Sequence, residues 1–254
     1  MKAKTLERAA PMLLLAAILV IWQAICSIFS ISEFIFPSPI QIVQALIELF
    51  GPIMGHAWRT FWTTMVGFAI SIVVGLVFGF IIGSSRMAYS AMYPLMTAFN
   101  ALPKAAFVPI LVVWFGIGIG PAILTAFLIS FFPIMVNIAT GLATLEPELE
   151  DVLRVLGAKR IDVLIKVGLP RSMPYFFASL KVAITLAFVG TTVSEMSASN
   201  EGIGYLLISA GSAMKMPLAF AGLLVVAVMA MAMYELFSWI ERHTTAWAHR
   251  GQAA

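Results

Sequence analysis

Long apolar runs, separated by short polar stretches, set the pattern of this chain. A helix that spans a bilayer needs about 20 apolar residues, and it satisfies its own backbone in lipid. Six runs qualify, at residues 10–30, 59–83, 92–115, 121–143, 174–195 and 217–240. The first follows a basic start and has the outline of a signal peptide. Its apolar stretch exceeds the roughly 7–15 residues of a signal core, so it reads as a retained first helix. Two further segments are too short to span. "FPSPIQIVQALIELF" (36–50) carries Ile40, Val43, Leu46 and Ile47 at helical spacing behind Pro39. It predicts an amphipathic helix on the membrane interface. "GIGYLLISAGSAMKM" (202–216) predicts a second interfacial or re-entrant piece.

Within the second run, Gly67, Ser71, Gly75, Gly79 and Gly83 place a small residue at every fourth position. Such a face lets another helix approach closely. Packing inside the chain is its ordinary use, and a contact between two copies is the alternative. Pro103, Pro109, Pro121 and Pro133 interrupt the third and fourth runs. Broken backbone at membrane depth fits a moving core or ordinary kinked packing.

Composition agrees with lipid as the solvent. The chain of 254 residues is 61% hydrophobic and 11% charged, with mean hydropathy +1.01. Soluble domains are about 45–50% apolar and about 25% charged. A net charge of +3 is too small to argue for nucleic acid. What matters is where the cations lie. With the N-terminus inside, Lys2, Lys4, Arg8, Arg86, Arg154, Lys159, Arg160, Lys166, Arg171, Arg242 and Arg250 are all inside. Outside fall Lys215 and Arg59, and within spans Lys104 and Lys181. Both termini are therefore expected in the cytoplasm. Cys26 is alone, the histidines are scattered, and no HExxH occurs, so disulfide and metal frameworks have no basis here.

One stretch breaks the apolar pattern: "EPELEDVLRVLGAKRIDVLIKVGLP", residues 146–170. Pro147 suits a first helical turn, and Glu146, Glu148, Glu150 and Asp151 suit its positive dipole end. Leu149, Val152, Val155 and Leu156 form an apolar stripe. Gly157 ends this helix. A second short helix starts near Lys159 with Ile161, Leu164 and Ile165 on one face, and stops at Gly168 and Pro170. The stretch thus reads as two short amphipathic helices at a sharp bend, on the cytoplasmic side. A pair lying on the bilayer surface is the plainer alternative.

The spacing of this stretch resembles the cytoplasmic signature of permease subunits of ATP-binding-cassette (ABC) importers. That signature is Glu-Ala-Ala, three residues, Gly, nine residues, Ile-x-Leu-Pro. Asp151, Val152 and Leu153 fall on the triplet, Gly157 on the glycine, and Val167, Leu169 and Pro170 on the closing residues. The opening triplet departs from the pattern, and Val replaces Ile. "FPSP", "ALPKAAFVPILVVWFGIG", "ELEDVLRVLGA" and "VSEMSASNEGIGYLL" are similar to the nitrate, sulfonate and taurine branch, with its pyrimidine-precursor relatives. The resemblance covers nearly the whole chain, 1–254.

That resemblance implies an all-α integral membrane fold of the type I importer kind, with six transmembrane helices and a cytoplasmic coupling pair at 146–170. It implies docking on a separate ABC ATPase through Asp151, Val152, Arg154, Val155, Leu156, Gly157, Ala158, Arg160, Ile161 and Leu164. ATP and Mg would sit on that partner, and this chain would hold no cofactor. A second permease copy, an extracytoplasmic binding protein and a bacterial inner membrane complete the expectation. The chain has no GxxxxGK[ST] phosphate loop, and no nucleophile–base pair or metal set for an enzyme.

Four polar residues are candidates for a translocation path: Asn100, Lys104, Asn137 and Glu195. A lysine at mid-bilayer costs roughly 2.5–3.5 kcal/mol. At about 1.5 Å per residue, Lys104 lies about 18 Å and Glu195 about 31 Å from the inner end of its run. The two would line one path at different levels. An ion-coupled carrier using Glu195 and Lys104 as a relay is the competing reading, but inverted repeats are not evident.

Overall fold

A computed structural model describes residues 2–144, 152, 153 and 155–245, with side chains from Ala10 onward except Arg160. Asp151, Arg154, the acidic run at 146–150 and the Arg160 side chain lie outside the described residues. No strand occurs among the described residues. The helices are α1 (Lys2–Ile28), α2 (Pro39–Glu48), α3 (Phe50–Gly83), α4 (Arg86–Ala101), α5 (Val108–Phe115), α6 (Ile119–Ala143), α7 (Arg160–Val163), α8 (Leu169–Ala198), α9 (Ile203–Ser212) and α10 (Met216–Thr244). Five stretches are long and apolar enough to cross a membrane, or six if a bent pair counts as one span.

The centre is a three-helix sandwich of α3, α6 and α8. The ladder of small residues on α3 faces α6. A Cβ on Gly75 would lie 2.8 Å from Ile134, and one on Gly79 2.8 Å from Ile138. One turn before Gly75, Ser71 Oγ lies 2.6 Å from Ser130 Oγ. Intramolecular packing therefore uses this face, and no second copy can reach it. An apolar cluster runs through the sandwich: Phe68, Ala126, Ile134, Phe177, Leu180, Ile184 and Phe188 are buried together. Across it, Lys181 Nζ pairs with Glu241 Oε2 at 2.6 Å, tying α8 to α10.

One sequence expectation needs correction and two are refined. The third run does break at Pro103, one of the prolines that interrupt it. α4 and the piece containing α5 meet at 73°. Proline disfavours helical backbone in the residue before it, and Leu102 takes an extended conformation at ψ 137 ahead of Pro103.

The second short helix of the central stretch does not stop at Gly168 and Pro170. Gly168 keeps right-handed helical angles, φ −61 and ψ −51. A π-helical turn spans Leu164–Gly168, with Leu169 N–H donating to the Leu164 carbonyl. Proline lacks an N–H, and its ring presses on the carbonyl four residues back. The wide turn re-aims those carbonyls, so the helix continues through Pro170. Residues Ile161–Ala198 form one rod of 38 residues.

The helix at 36–50 exists but buries a different face. Ser38 and Gln41 form a capping box, with Pro39 at its first turn. Ile42 is buried against Ile53, Ala57, Ile203 and Ala221, with Ala45, Leu46 and Leu49 packed alongside. Ile40, Val43 and Ile47 stay exposed. The helix is apolar on both faces, and the bundle covers the one centred on Ile42 while Ile40, Val43 and Ile47 remain open on the other. Likewise α9 is tucked into the bundle, burying Ile203, Gly204, Leu206 and Ala210.

Candidate functional site

The central stretch forms a sharp bend at one end of the bundle. Leu156 N–H donates to the Val152 carbonyl at 3.2 Å, and Ala158 N–H to the Leu153 carbonyl at 3.0 Å. Gly157 sits between them at φ +86. This six-to-one bond over a left-handed residue is the Schellman way to close a helix. A Cβ on Gly157 would meet nothing within 4 Å. Glycine is therefore needed there for its backbone angle rather than for space. Beyond the bend, Asp162 and Val163 donate to the Lys159 carbonyl and start α7.

The bend presents apolar side chains outward. Val155 is 88% exposed and Leu156 76%, and Val152 and Ile161 are exposed as well. Ala158 is half-buried. Leu164 does not join this face. It is 9% exposed and turns into the bundle, while Ile165 is exposed instead. The π turn shifts the helical register there, which spacing alone did not reveal. A Lys166–Asp162 pair at 3.7 Å lies along the same helix.

The polar candidates fall into separate places. Asn100 and Lys104 come together at the break in the third run. Lys104 Nζ donates to the Asn100 carbonyl at 2.9 Å and to Asn100 Oδ1 at 3.1 Å. It thereby satisfies a carbonyl at the C-terminal end of α4. The ammonium also lies 5.1 Å from the Phe132 ring centre. Asn137, on α6, donates to the Pro133 carbonyl at 2.8 Å.

Glu195 is 2% exposed and finds its partners elsewhere. Thr60 Oγ1 lies 3.0 Å and 2.8 Å from its two carboxylate oxygens. Gly204 N–H donates to Oε2 at 3.0 Å. Thr64 Oγ1 donates to Thr191 Oγ1 at 2.8 Å one turn deeper. Sequence reasoning missed Thr60, His56 and Glu241. Each pairs across a long stretch of chain, and threonine or histidine in an apolar run carries no spacing signal.

An all-helical bundle with a broken span, a long rod and an exposed, glycine-bent apolar knuckle defines a multi-pass membrane permease. The chain belongs to the family of binding-protein-dependent transport system inner membrane components, whose model matches residues 71–246. It is accordingly a translocation component rather than an enzyme. A probable ABC transporter permease protein of Haemophilus influenzae is 30% identical over 230 residues, covering 91% of this chain and 94% of the relative. A formylaminopyrimidine transport permease protein of Halalkalibacterium halodurans is 32% identical over 196 residues, covering 77% and 78%. A taurine transport system permease protein of Escherichia coli is 26% identical over 241 residues, covering 92% and 87%.

The fold matches a chain of the methionine ABC transporter in inward-facing conformations. The TM-score is 0.67 at 16% identity, with 78% of this chain and 98% of that chain covered. At that identity the likeness speaks for the fold alone, that of a type I ABC importer permease.

Proposed function

We propose that this chain passes a small solute from an extracytoplasmic binding protein into the cytoplasm, driven by a separate ABC ATPase. ATP and Mg bind on that ATPase. The knuckle at 152–168 docks in a groove on it, and the rod that begins there carries the stroke into the bundle. One observation carries this reading. Val152, Val155, Leu156 and Ile161 stand exposed around a left-handed Gly157, directly ahead of a continuous helix. Clustered exposed apolar side chains on a folded bend mark a protein contact.

The knuckle lies in the cytoplasm, as the placement of the basic residues supports. The termini share that side of a bacterial inner membrane, and two copies of the chain form one path. Asn100 and Lys104 line that path at the broken span, with Asn137 on the neighbouring α6, whereas Glu195 is enclosed by Thr60 and Gly204. The solute is of the sulfonate, taurine, nitrate or pyrimidine-precursor type. An ammonium at the break suits the anions among these, and the taurine and formylaminopyrimidine relatives support two of the types.

The test separates backbone from docking. Gly157→Ala costs about 1–2 kcal/mol of local backbone energy, and there is room for the methyl. It should retain ATPase co-purification. Gly157→Glu adds a charge to an apolar contact. It should detach the ATPase or abolish its stimulation by loaded binding protein. Full co-purification and stimulation with Gly157→Glu would sink the docking assignment.

A further inference from the structure

At the end of the bundle opposite the knuckle, α9 begins without a cap of its own. Its N-cap position is Gly202, at φ +97, which has no side chain. A helix start leaves several N–H groups without partners. Here three are taken by side chains from other helices. Gly202 N–H donates to His56 Nδ1 at 3.1 Å. Ile203 N–H donates to Thr60 Oγ1 at 2.8 Å. Gly204 N–H donates to Glu195 Oε2 at 3.0 Å. His56 therefore carries its proton on Nε2.

Thr60 is the centre of this socket, since it accepts from α9 while its hydroxyl lies between both oxygens of Glu195. The fit needs bare backbone. A Cβ on Gly202 would collide with the Glu195 carboxylate, and one on Gly204 with the Thr192 carbonyl. Outside the socket, Arg59 Nε pairs with Glu201 at 3.1 Å. Gly118 N–H donates to the Ala198 carbonyl at 2.8 Å.

We propose that Thr60 and Glu195 are positioning residues of a latch that holds α9 on α3 and α8 and opens in the transport cycle. The proposal rests on the docking assigned to the knuckle. Glu195 rides on the rod Ile161–Ala198, whose other end emerges from that knuckle. The rod is about 57 Å long at 1.5 Å per residue. A tilt imposed at one end is therefore delivered at the other, where the latch sits. Leaving the socket unpairs three N–H groups and a carboxylate together, and a half-open socket has no compensating bonds. Such an arrangement has two states rather than a continuum. α9 is docked while the rod holds one tilt and released when the ATPases move it.

The experiment uses the purified permease–ATPase complex in lipid nanodiscs, on a Cys26→Ser, Ala210→Cys background. Ala210 is buried on α9, so maleimide labelling reports its release. Labelling should be slow without nucleotide and rise about tenfold on vanadate trapping with ATP, the loss of one or two buried bonds. Thr60→Val and Glu195→Ala should each raise the nucleotide-free rate by a similar factor, and the double variant no further. Thr60→Ser and Glu195→Gln keep partners for the same groups and should restore slow labelling.

A purely structural staple would lower the melting temperature of the variants yet leave nucleotide-free labelling slow, which overturns the latch. Labelling indifferent to vanadate trapping, in a complex that hydrolyses ATP, also overturns it while leaving the docking reading intact. If the wild-type chain retains no ATPase, the docking reading fails and the latch falls with it.

Discussion

At the residue scale, Lys181 and Glu241 enter the bundle as a pair rather than alone. Lys181 meets Glu241 at 2.6 Å, with the Tyr234 ring 6.0 Å away. Breaking one partner of a buried pair leaves an uncompensated charge and costs about 3–5 kcal/mol. Lys181→Met is therefore expected to lower the thermal midpoint of the detergent-solubilised protein steeply. Lys181→Met combined with Glu241→Leu should recover most of that loss, since two apolar side chains leave no orphan charge. Additive losses would show that the two do not act as a pair. Lys104 is different in kind. Its ammonium is spent on the free carbonyl of a broken helix end, over an aromatic face. The lysine was legible as a costly residue and the prolines as a break, whereas the capping of Asn100 by Lys104 across that break was not.

At the element scale, the α3–α6 contact decides the architecture. Its ladder was legible because four-residue spacing of small residues is a packing signal in lipid. Its partner was not, because Ala126, Ile134 and Ile138 look like any other apolar residues of a span. Gly79→Leu drives a large side chain into Ile138 and the Met135 carbonyl, each within 3 Å of a bare Cβ. Overpacking costs about 1–3 kcal/mol where neighbours can shift. Here the obstruction is partly backbone, so the expected loss is at the upper end. Differential scanning of the purified protein reads it, with Gly55→Leu as the control, since nothing lies within 4 Å of that position. Equal losses at both sites would remove the ladder from the account.

At the scale of the whole molecule, α1 stands apart. Most of its residues from Ala10 onward are exposed, and the family model begins only at residue 71. Its links run to α2 and to the start of α10. Gln23 Oε1 accepts from Ile40 N–H at 3.2 Å, and Trp22 lies among Phe36 and Phe220. The α3–α6–α8 sandwich makes no use of it. The proposed path also needs more than one copy, because Val113, Trp114 and Phe115 leave α5 open on one side. Native mass spectrometry of the assembled complex should find two permease chains with two ATPases. A single permease chain per assembly would contradict the proposed path.

Several features were decided by the sequence itself. Runs of about 20 apolar residues, a four-residue ladder and a glycine between two amphipathic stripes are local in origin. They follow from bilayer thickness, helical pitch and the backbone freedom of one residue. Those rules dictated spans, a packing face and a bend at Gly157. The tertiary structure decided the rest: the 73° angle taken at the Pro103 break, the continuous rod through Pro170, the face that α2 buries, and the socket at Thr60 and Glu195. Each depends on a competition between nearly equal local choices. A proline can end a helix or be absorbed by a wide turn, and a helix apolar on both sides can bury either. Contacts between residues more than a hundred positions apart, such as Thr60 with Glu195, break the tie, and no local pattern encodes them.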